Sequence, residues 1–272
     1  MSVSAKYPVV DILGIPVSAI RMSDVLDIAN EHIANREGLL IGVVNVAKIV
    51  NISKDASLRS SFTEAKIIIA DGAPIVWLSR ILRTTLPERI TGIDLMYGLL
   101  KTANEKGYRV YFLGAKQNVL LKVIDVVSER YPRVIIAGYR DGYFSEHEEQ
   151  SVAQDIRNSQ SDIIFVGITS PKKEDFLRKW KDFVNVPVCH GVGGSFDVMA
   201  GVTKRAPKWM QNCGLEWFYR LIQEPRRMWK RYLVTNTVFI GLGISEIIRV
   251  TLNRLRGISN VETSCSVKAD DE

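Results

Sequence analysis

Short apolar runs alternate with amphipathic stretches along the first three quarters of the chain. The runs are continuous, which is typical of strands buried on both faces of a sheet. They predict strands over Val9–Leu13, Leu39–Val44, Lys66–Ala70, Arg109–Leu113, Val134–Tyr139, Asp162–Ile168 and Val188–Gly191. The stretches between them predict helices over Met22–Ala34, Ala47–Lys54, Pro74–Leu82, Ile93–Lys106, Asn118–Arg130, His147–Asn158 and Lys172–Phe183. This alternation predicts an α/β protein with a Rossmann-like, mostly parallel sheet and helices on both faces.

The pattern changes after about Gly201, where predicted strands cease and a basic segment begins. The stretch Lys204–Arg231 holds eight Lys and Arg residues against Glu216 and Glu224, a local charge of +6, which equals the net charge of all 272 residues. It also contains three of the five tryptophans. We therefore predict an α/β core over 1–203, a basic, Trp-rich helical appendage over 204–257, and a disordered polar tail over 258–272.

Tryptophan mixed with arginine suits a surface where apolar lipid meets anionic headgroups. The same mixture suits phosphate-bearing ligands, an amphipathic helix packed on the core, or a nucleic-acid surface. Interleaved Leu215, Leu221 and Met228 favour lipid or core burial over nucleic acid. The longest apolar stretch, Tyr232–Val250, includes Glu246 and other polar residues, so we expect it to lie on a surface or pack rather than cross a membrane.

The remaining composition indicates a reducing compartment. Three cysteines are widely spaced and odd in number, which gives no disulfide or zinc pattern. No charged region followed by an apolar run stands at the N-terminus, so we predict no signal peptide. Together with the basic, Trp-rich appendage, these features predict a peripheral protein on the cytoplasmic face of the inner membrane.

Polar and glycine residues follow the predicted strands, where the carboxyl ends of a parallel sheet bind ligands. The residues at these ends that we take as candidates for binding are Asn45, Asp71, Gly114, Lys173, Gly191, Gly193 and Gly194. Asp71 has two interpretations. It can cap the following helix, which Asp does well, or serve as a general base that takes a proton from a hydroxyl nucleophile.

Arg89, Thr91 and Gly92 precede or begin a predicted helix. A phosphate there would meet backbone N–H groups and a guanidinium together. Alternatively, Arg89 is a surface arginine paired with Glu88 or Asp94.

The stretch from Gly191 to Asp197 predicts a strand–glycine–helix turn, which lets a phosphate or sugar approach the backbone. Phe196 stands where a dinucleotide fingerprint has its third glycine, and no downstream acid matches. This argues against a nucleotide-dependent oxidoreductase, and tight packing of strand on helix explains the glycines equally well.

No metal or cofactor is predicted. The histidines do not cluster, and neither an internal Asp-x-Asp pair nor a G-x-S-x-G nucleophile motif occurs. If a sugar nucleotide binds, positive side chains and helix ends must balance its charge.

The chain resembles the WecG/TagA/CpsF glycosyltransferases, which add a sugar to a lipid-linked acceptor in bacterial surface-polymer synthesis. The resemblance spans roughly Val9 to Leu233 and rests on VVNVAKIV, ADGAPIVWLSR, ERITGIDL, VYFLGAK, GYRDGYF, FVGITSPKKEDF, GVGGSFDVMAG and RAPKWMQNCGLEWFYRLIQEPRRMWKRY. It implies an inverting, metal-independent transfer from a UDP-sugar to a polyprenyl-diphosphate-linked saccharide, as in exopolysaccharide synthesis, and allows a homo-oligomer.

Carried over by residue, the resemblance implies Asp71 as catalytic base and Asn45 and Arg89 as pocket residues. The appendage arginines that it implies near the membrane and the donor diphosphate are Arg220, Arg227 and Lys230 or Arg231. Two departures stand out: Val43 replaces a frequent threonine, and the G-x-P-K-Q-E loop begins with Thr169 and carries Lys173 in place of glutamine. A lysine at a sugar contact suits a uronic acid donor, beside which an N-acetylmannosamine-type sugar stays open. The alternative is a non-catalytic membrane- or nucleotide-binding α/β protein.

Overall fold

The computed structural model describes residues 7–53 and 64–256. Six parallel strands form the main sheet, in the order β4-β3-β8-β7-β5-β6. A separate antiparallel hairpin is built from β1 and β2. The strands are β1 (Val9–Ile12), β2 (Ile15–Ser18), β3 (Leu39–Val44), β4 (Ile67–Ala70), β5 (Arg109–Gly114), β6 (Ile135–Arg140), β7 (Ile163–Gly167) and β8 (Val188–Gly191).

Helices alternate with these strands and then continue alone. They are α1 (Met22–Asn35), α2 (Val46–Ile52), α3 (Ala73–Ile81), α4 (Gly92–Lys106), α5 (Gln117–Arg130), α6 (Glu149–Asn158), α7 (Lys172–Val184), α8 (Ser195–Met199), α9 (Lys208–Asn212), α10 (Glu216–Gln223) and α11 (Pro225–Leu255). The predicted α/β class is confirmed. The strand expected over Val9–Leu13 exists, but it belongs to the hairpin and not to the parallel sheet, and β2 is an addition to the prediction.

Apolar side chains cover both faces of the sheet. One face packs against α1, α4 and α5 through a cluster that includes Leu99, Phe112 and Phe165. The other face divides into a cluster beneath α2, α3 and the hairpin, and a cluster beneath α6 and α7. This two-sided burial explains why the strands are continuous apolar runs, and it leaves the strand ends as the place for polar chemistry.

The long helix α11 is two-sided. Phe239 and Val250 are buried in the cluster beneath α2 and α3, and the guanidinium of Arg254 donates a 2.9 Å hydrogen bond to the backbone oxygen of Leu82. Its opposite side exposes an apolar row, which consists of Ile240, Ile244, Ile248 and Leu252. By length and composition alone, Met228–Leu255 could cross a membrane, but one of its faces packs on the core. The tail predicted over 258–272 lies outside the described residues.

Candidate active site

The carboxyl ends of β4, β3 and β8 are neighbours in the sheet, so the residues that follow them meet at one edge. Asp71 follows β4, and its backbone N–H donates to the oxygen of Val44 at 2.7 Å. Asn45 follows β3, and the glycine turn from Gly191 follows β8. The sheet order thus brings together the three segments that the sequence singles out.

Asp71 does not cap the helix that follows it. The N-cap of α3 is Gly72, with φ at +136°, and no side chain caps this helix end. The Asp71 carboxylate instead accepts a hydrogen bond from the backbone N–H of Gly92. The capping interpretation is therefore wrong, and the carboxylate faces the edge.

The environment of Asp71 makes it a better proton acceptor than an ordinary aspartate. Burial and, after it, the charge of Glu216 raise the pKa of Asp71 to about 6, against the opposing effects of the Gly92 hydrogen bond, Arg89 and Lys48. Near neutral pH such a carboxylate is mostly ionised and yet holds a proton more tightly than an exposed one. This is the combination that a general base needs.

Two side chains fix the segment that carries Gly92. The buried hydroxyl of Thr91 caps α4 by accepting from the Asp94 N–H at 3.1 Å and donates to the Asp94 carboxylate at 2.6 Å. On the far side, His190 Nε2 lies 2.9 Å from the oxygen of Gly92. Burial lowers the pKa of His190 to about 4, so the ring is neutral and donates this hydrogen bond. Thr91 and Gly92 are therefore engaged in holding the helix start and Asp71.

Arg89 is paired, but with neither of the carboxylates that the sequence suggested. Its Nη1 lies 2.7 Å from Oε2 of Glu216, the first residue of α10. The other oxygen of Glu216 lies 3.4 Å from Arg205 Nε, and Arg205 in turn holds Asp94 through two bonds of 2.7 and 2.8 Å. Alternating charges thus bind the appendage to the start of α4.

Arg220 brings a second appendage cation to the glycine turn. A Cβ at position 194 would lie 3.2 Å from Arg220 Nη2, so the absence of a side chain at Gly194 lets the guanidinium approach the backbone. Arg220 Nε is buried and has no hydrogen-bond partner among the residues that the structure describes. A buried N–H without an acceptor is costly, and a bound anion could supply that acceptor.

The other two predicted arginines differ from Arg220. Arg231 is exposed, and its guanidinium lies 5.4 Å from the ring centroid of Tyr232. Within the described part of the chain, no hydrogen bond or ion pair joins its side chain to the edge. The side chain of Arg227 lies outside the described residues.

Lys173 is not a surface lysine, since it is only 6% exposed. Its Nζ lies 3.3 Å from Glu174 Oε1, which also receives Lys48 Nζ at 3.2 Å. A Cβ at position 191 would lie 2.8 Å from the Lys173 stem, so Gly191 makes room for it. Burial and the neighbouring Lys173 charge lower the pKa of Lys48 to about 8. Two ammonium groups thus share one carboxylate beside the edge.

Asn45 and Gly114 have clear local roles. The Asn45 side-chain oxygen caps α2 by accepting from the Lys48 N–H at 3.1 Å, which leaves its amide N–H₂ for other contacts. Gly114, with φ at +131°, packs so closely on β7 that a Cβ would lie 2.4 Å from the Gly167 carbonyl carbon. Four strand spacings separate the ends of β4 and β5, roughly 19 Å, so Gly114 lies far along the edge from Asp71.

Sequence reasoning missed Glu216, Lys48, Arg205 and His190 as parts of this site. Glu216 could have been noticed as one of two acids in a strongly basic segment, and Lys48 as the residue one turn after Asn45. His190 was set aside because it is isolated from the other histidines. Within residues 7–53 and 64–256, no group of three or more His, Cys, Asp or Glu residues is placed to hold a metal ion.

Known proteins resemble this chain over most of its length. The family described as "Glycosyl transferase WecG/TagA/CpsF family" matches residues 10–253. A relative from Bacillus subtilis (strain 168), named N-acetylglucosaminyldiphosphoundecaprenol N-acetyl-beta-D-mannosaminyltransferase, is 36% identical over 220 residues, which are 80% of this chain and 85% of the relative. A protein of the same name from Bacillus spizizenii (strain ATCC 23059 / NRRL B-14472 / W23) is 35% identical over 202 residues, 74% of this chain and 77% of the relative. The chain therefore belongs to the WecG/TagA/CpsF family of glycosyltransferases.

Proposed function

We propose that this glycosyltransferase moves a sugar from a UDP-sugar to a polyprenyl-diphosphate-linked saccharide, with inversion and without a metal ion. The observation that carries the proposal is the Asp71 carboxylate, held by Gly92 at the strand edge with its pKa raised to about 6. The relatives named above act, by their names, on a diphosphoundecaprenol-linked sugar, which supports an acceptor of that class. Shifted pKa values of this kind cluster at catalytic sites, which favours an enzyme over a non-catalytic binding protein.

In the proposed reaction, Asp71 accepts the proton of an acceptor hydroxyl as its oxygen attacks the anomeric carbon. The bond from that carbon to the diphosphate breaks on the opposite side, and UDP leaves with the electron pair. One displacement of this kind inverts the configuration. A positioned general base contributes roughly 10²- to 10⁴-fold to such a step.

The diphosphate gains negative charge as it leaves, and appendage and core together supply the counter-charge. Arg220, whose buried Nε has no partner within residues 7–53 and 64–256, lies against Gly194, and Arg89 lies near Asp71. Guanidinium groups pair with phosphate in two-point geometry. Donors placed at a developing charge are among the largest contributions to catalysis, and in the proposed reaction these two guanidinium groups take the part that a metal plays elsewhere.

The appendage is proposed to hold the enzyme on the cytoplasmic face of the inner membrane. Its support is the exposed apolar row of α11, with Trp209 and Trp229 exposed on the same appendage. Basic residues near an anionic surface contribute about 1 kcal/mol each. A membrane-bound acceptor makes such docking useful, because it places the strand edge where the lipid's saccharide emerges.

A specific observation favours an acidic donor sugar over the N-acetylmannosamine-type sugar. Lys48 and Lys173 share the carboxylate of Glu174, so these three residues together carry a net positive charge beside Gly191. A carboxylate on the donor would gain a charge-assisted hydrogen bond there. The Lys173→Gln variant then loses the acidic donor selectively.

A screen of UDP release with a polyprenyl-diphosphate-sugar acceptor tests both proposals. Donors are UDP-glucuronate, UDP-N-acetylmannosaminuronate, UDP-glucose and UDP-N-acetylmannosamine. Acceptor-dependent release from at least one donor is expected, and its absence with all of them, on an acceptor accepted by a relative, contradicts the transfer. Preference for a neutral sugar removes only the acidic-donor proposal.

A further inference from the structure

Arg89, the arginine near Asp71, is already paired with a carboxylate of the protein itself. Glu216 Oε2 and Arg89 Nη1 lie 2.7 Å apart, and the two side chains are only 28% and 20% exposed. Partly buried charge-assisted bonds of this length are among the stronger polar contacts. An incoming anion therefore finds Arg89 already satisfied.

Glu216 has a second arginine within reach. Its Oε1 lies 3.4 Å from Arg205 Nε, and Arg205 is fixed by its two bonds to Asp94. A carboxylate that left Arg89 could thus keep a cationic partner. Giving up the first pair does not strand a buried charge, which is the usual cost of breaking a partly buried ion pair.

Glu216 also places a negative charge next to Asp71. The charged groups that face the Asp71 carboxylate are Glu216 from α10, Arg89 from the loop before α4, and Lys48 from α2. Two carboxylates therefore lie close enough to repel each other, with an arginine beside them. Such a pairing is unfavourable for the carboxylates, and it resembles the charge arrangement of a base facing a bound phosphate.

We propose that Glu216 is an internal stand-in for the donor's diphosphate: it occupies Arg89 in the empty enzyme, and the diphosphate displaces it onto Arg205. This inference rests on the proposed function, since it needs a nucleoside diphosphate at this edge. A diphosphate carries more charge than a carboxylate and offers two-point pairing to a guanidinium, so it displaces Glu216 from Arg89. Because it must compete with Glu216, the diphosphate binds less tightly than it would to an unpaired arginine. Glu216 thereby connects occupation of the donor site to the contact that docks α10.

The test is the affinity for UDP of the Glu216→Gln variant, measured by calorimetry on the full chain. The amide keeps the shape of the side chain but not its charge, so UDP meets Arg89 without a competitor and binds about three- to tenfold more tightly, a factor typical of one partly exposed ion pair. Affinity for uridine, which has no phosphate, stays unchanged. The matched control is Glu246→Gln, which removes the 2.6 Å pair with Arg249 on α11 of the same appendage and leaves UDP affinity as in the wild type.

Whether Glu216→Gln raises or lowers the affinity for UDP tells whether Glu216 competes with the diphosphate or only holds Arg89 in position. If Glu216 only holds Arg89 in place, the amide weakens UDP binding or leaves it unchanged, and either result overturns the proposal. Loss of affinity for UDP and uridine alike would mark Glu216 as a structural support and overturn it too. In an Arg89→Ala background, Glu216→Gln gives no gain.

Failure of the proposed function has a different signature. A wild-type protein that binds no UDP would contradict the nucleotide-dependent function itself. Suppose instead that the wild type binds UDP, that Arg89→Ala weakens this binding, and that Glu216→Gln does not strengthen it. The proposed function then stands, and only the proposed role of Glu216 is contradicted.

Discussion

Replacing Asp71 by asparagine is expected to make the protein more stable while it nearly abolishes transfer. The folded state raises the pKa of the Asp71 carboxyl from its ordinary value of 3.8 to about 6. Each unit corresponds to about 1.4 kcal/mol, so the ionised carboxylate costs the folded state roughly 1–3 kcal/mol at neutral pH. Asparagine removes this cost and can still accept the Gly92 hydrogen bond.

The effect has a defined pH window. The folded carboxyl keeps its proton to higher pH than the unfolded one, so the wild type loses stability as pH rises from about 4 to about 6 and stays less stable above. The variant lacks this loss. Its advantage in melting temperature, about 2–4 °C for each kcal/mol in a chain of this size, is therefore small near pH 4 and full above pH 7.

The assays are thermal unfolding at the two pH values and turnover with the donor that the screen identifies. Turnover falls by roughly 10²- to 10⁴-fold, the contribution of a general base, and UDP affinity is retained. Glu246→Gln, the same chemical change at a surface ion pair, alters neither property appreciably. Near-wild-type turnover of Asp71→Asn refutes the assignment of Asp71 as the general base. A melting temperature that drops at neutral pH refutes the argument that its ionised carboxylate destabilises the folded state.

Three further outcomes follow from the geometry. Because Asp71 must be ionised to accept a proton, kcat/KM falls about tenfold per pH unit below about pH 6, and a flat acidic limb contradicts this. Gly114→Ala places a Cβ 2.4 Å from the Gly167 backbone and lowers the free energy of unfolding by more than about 2 kcal/mol in urea titrations; Gly38→Ala, with open space around it, is the control, and equal stabilities refute the packing explanation. Replacing Ile240, Ile244 and Ile248 together by glutamine abolishes sedimentation with anionic vesicles while UDP affinity persists, and undiminished sedimentation refutes docking by this row.

The sequence was sufficient to predict which residues meet at the carboxyl ends of the parallel strands. Continuous apolar runs identified every strand of the main sheet, and parallel strands necessarily collect Asn45, Asp71 and the Gly191 turn at one edge. The hairpin strand Ile15–Ser18 was missed because it has four residues, includes Pro16, and pairs only with β1. A run this short with a proline reads as a loop.

The ion pairs near Asp71 could not be predicted from the sequence, because their partners are far apart along the chain. Arg89 and Glu216 are 127 residues apart, and counting charges gives a sum without saying which groups meet. Likewise Arg220 and Arg231 belong to the same basic segment, yet only Arg220 lies against Gly194. The docking of α10 decides between them, and that docking depends on tertiary packing.

Because one side of α11 packs along the core, the helix is fixed to the core and is not a flexible tether. Phe239 and Val250 are buried along one side, and Arg254 pins the far end to Leu82. To slide into a bilayer as a spanning segment, the helix would have to peel off the core and expose both side chains. A surface that binds the outer side of α11 would therefore also fix the orientation of the core, and with it the distance of Asp71 from that surface.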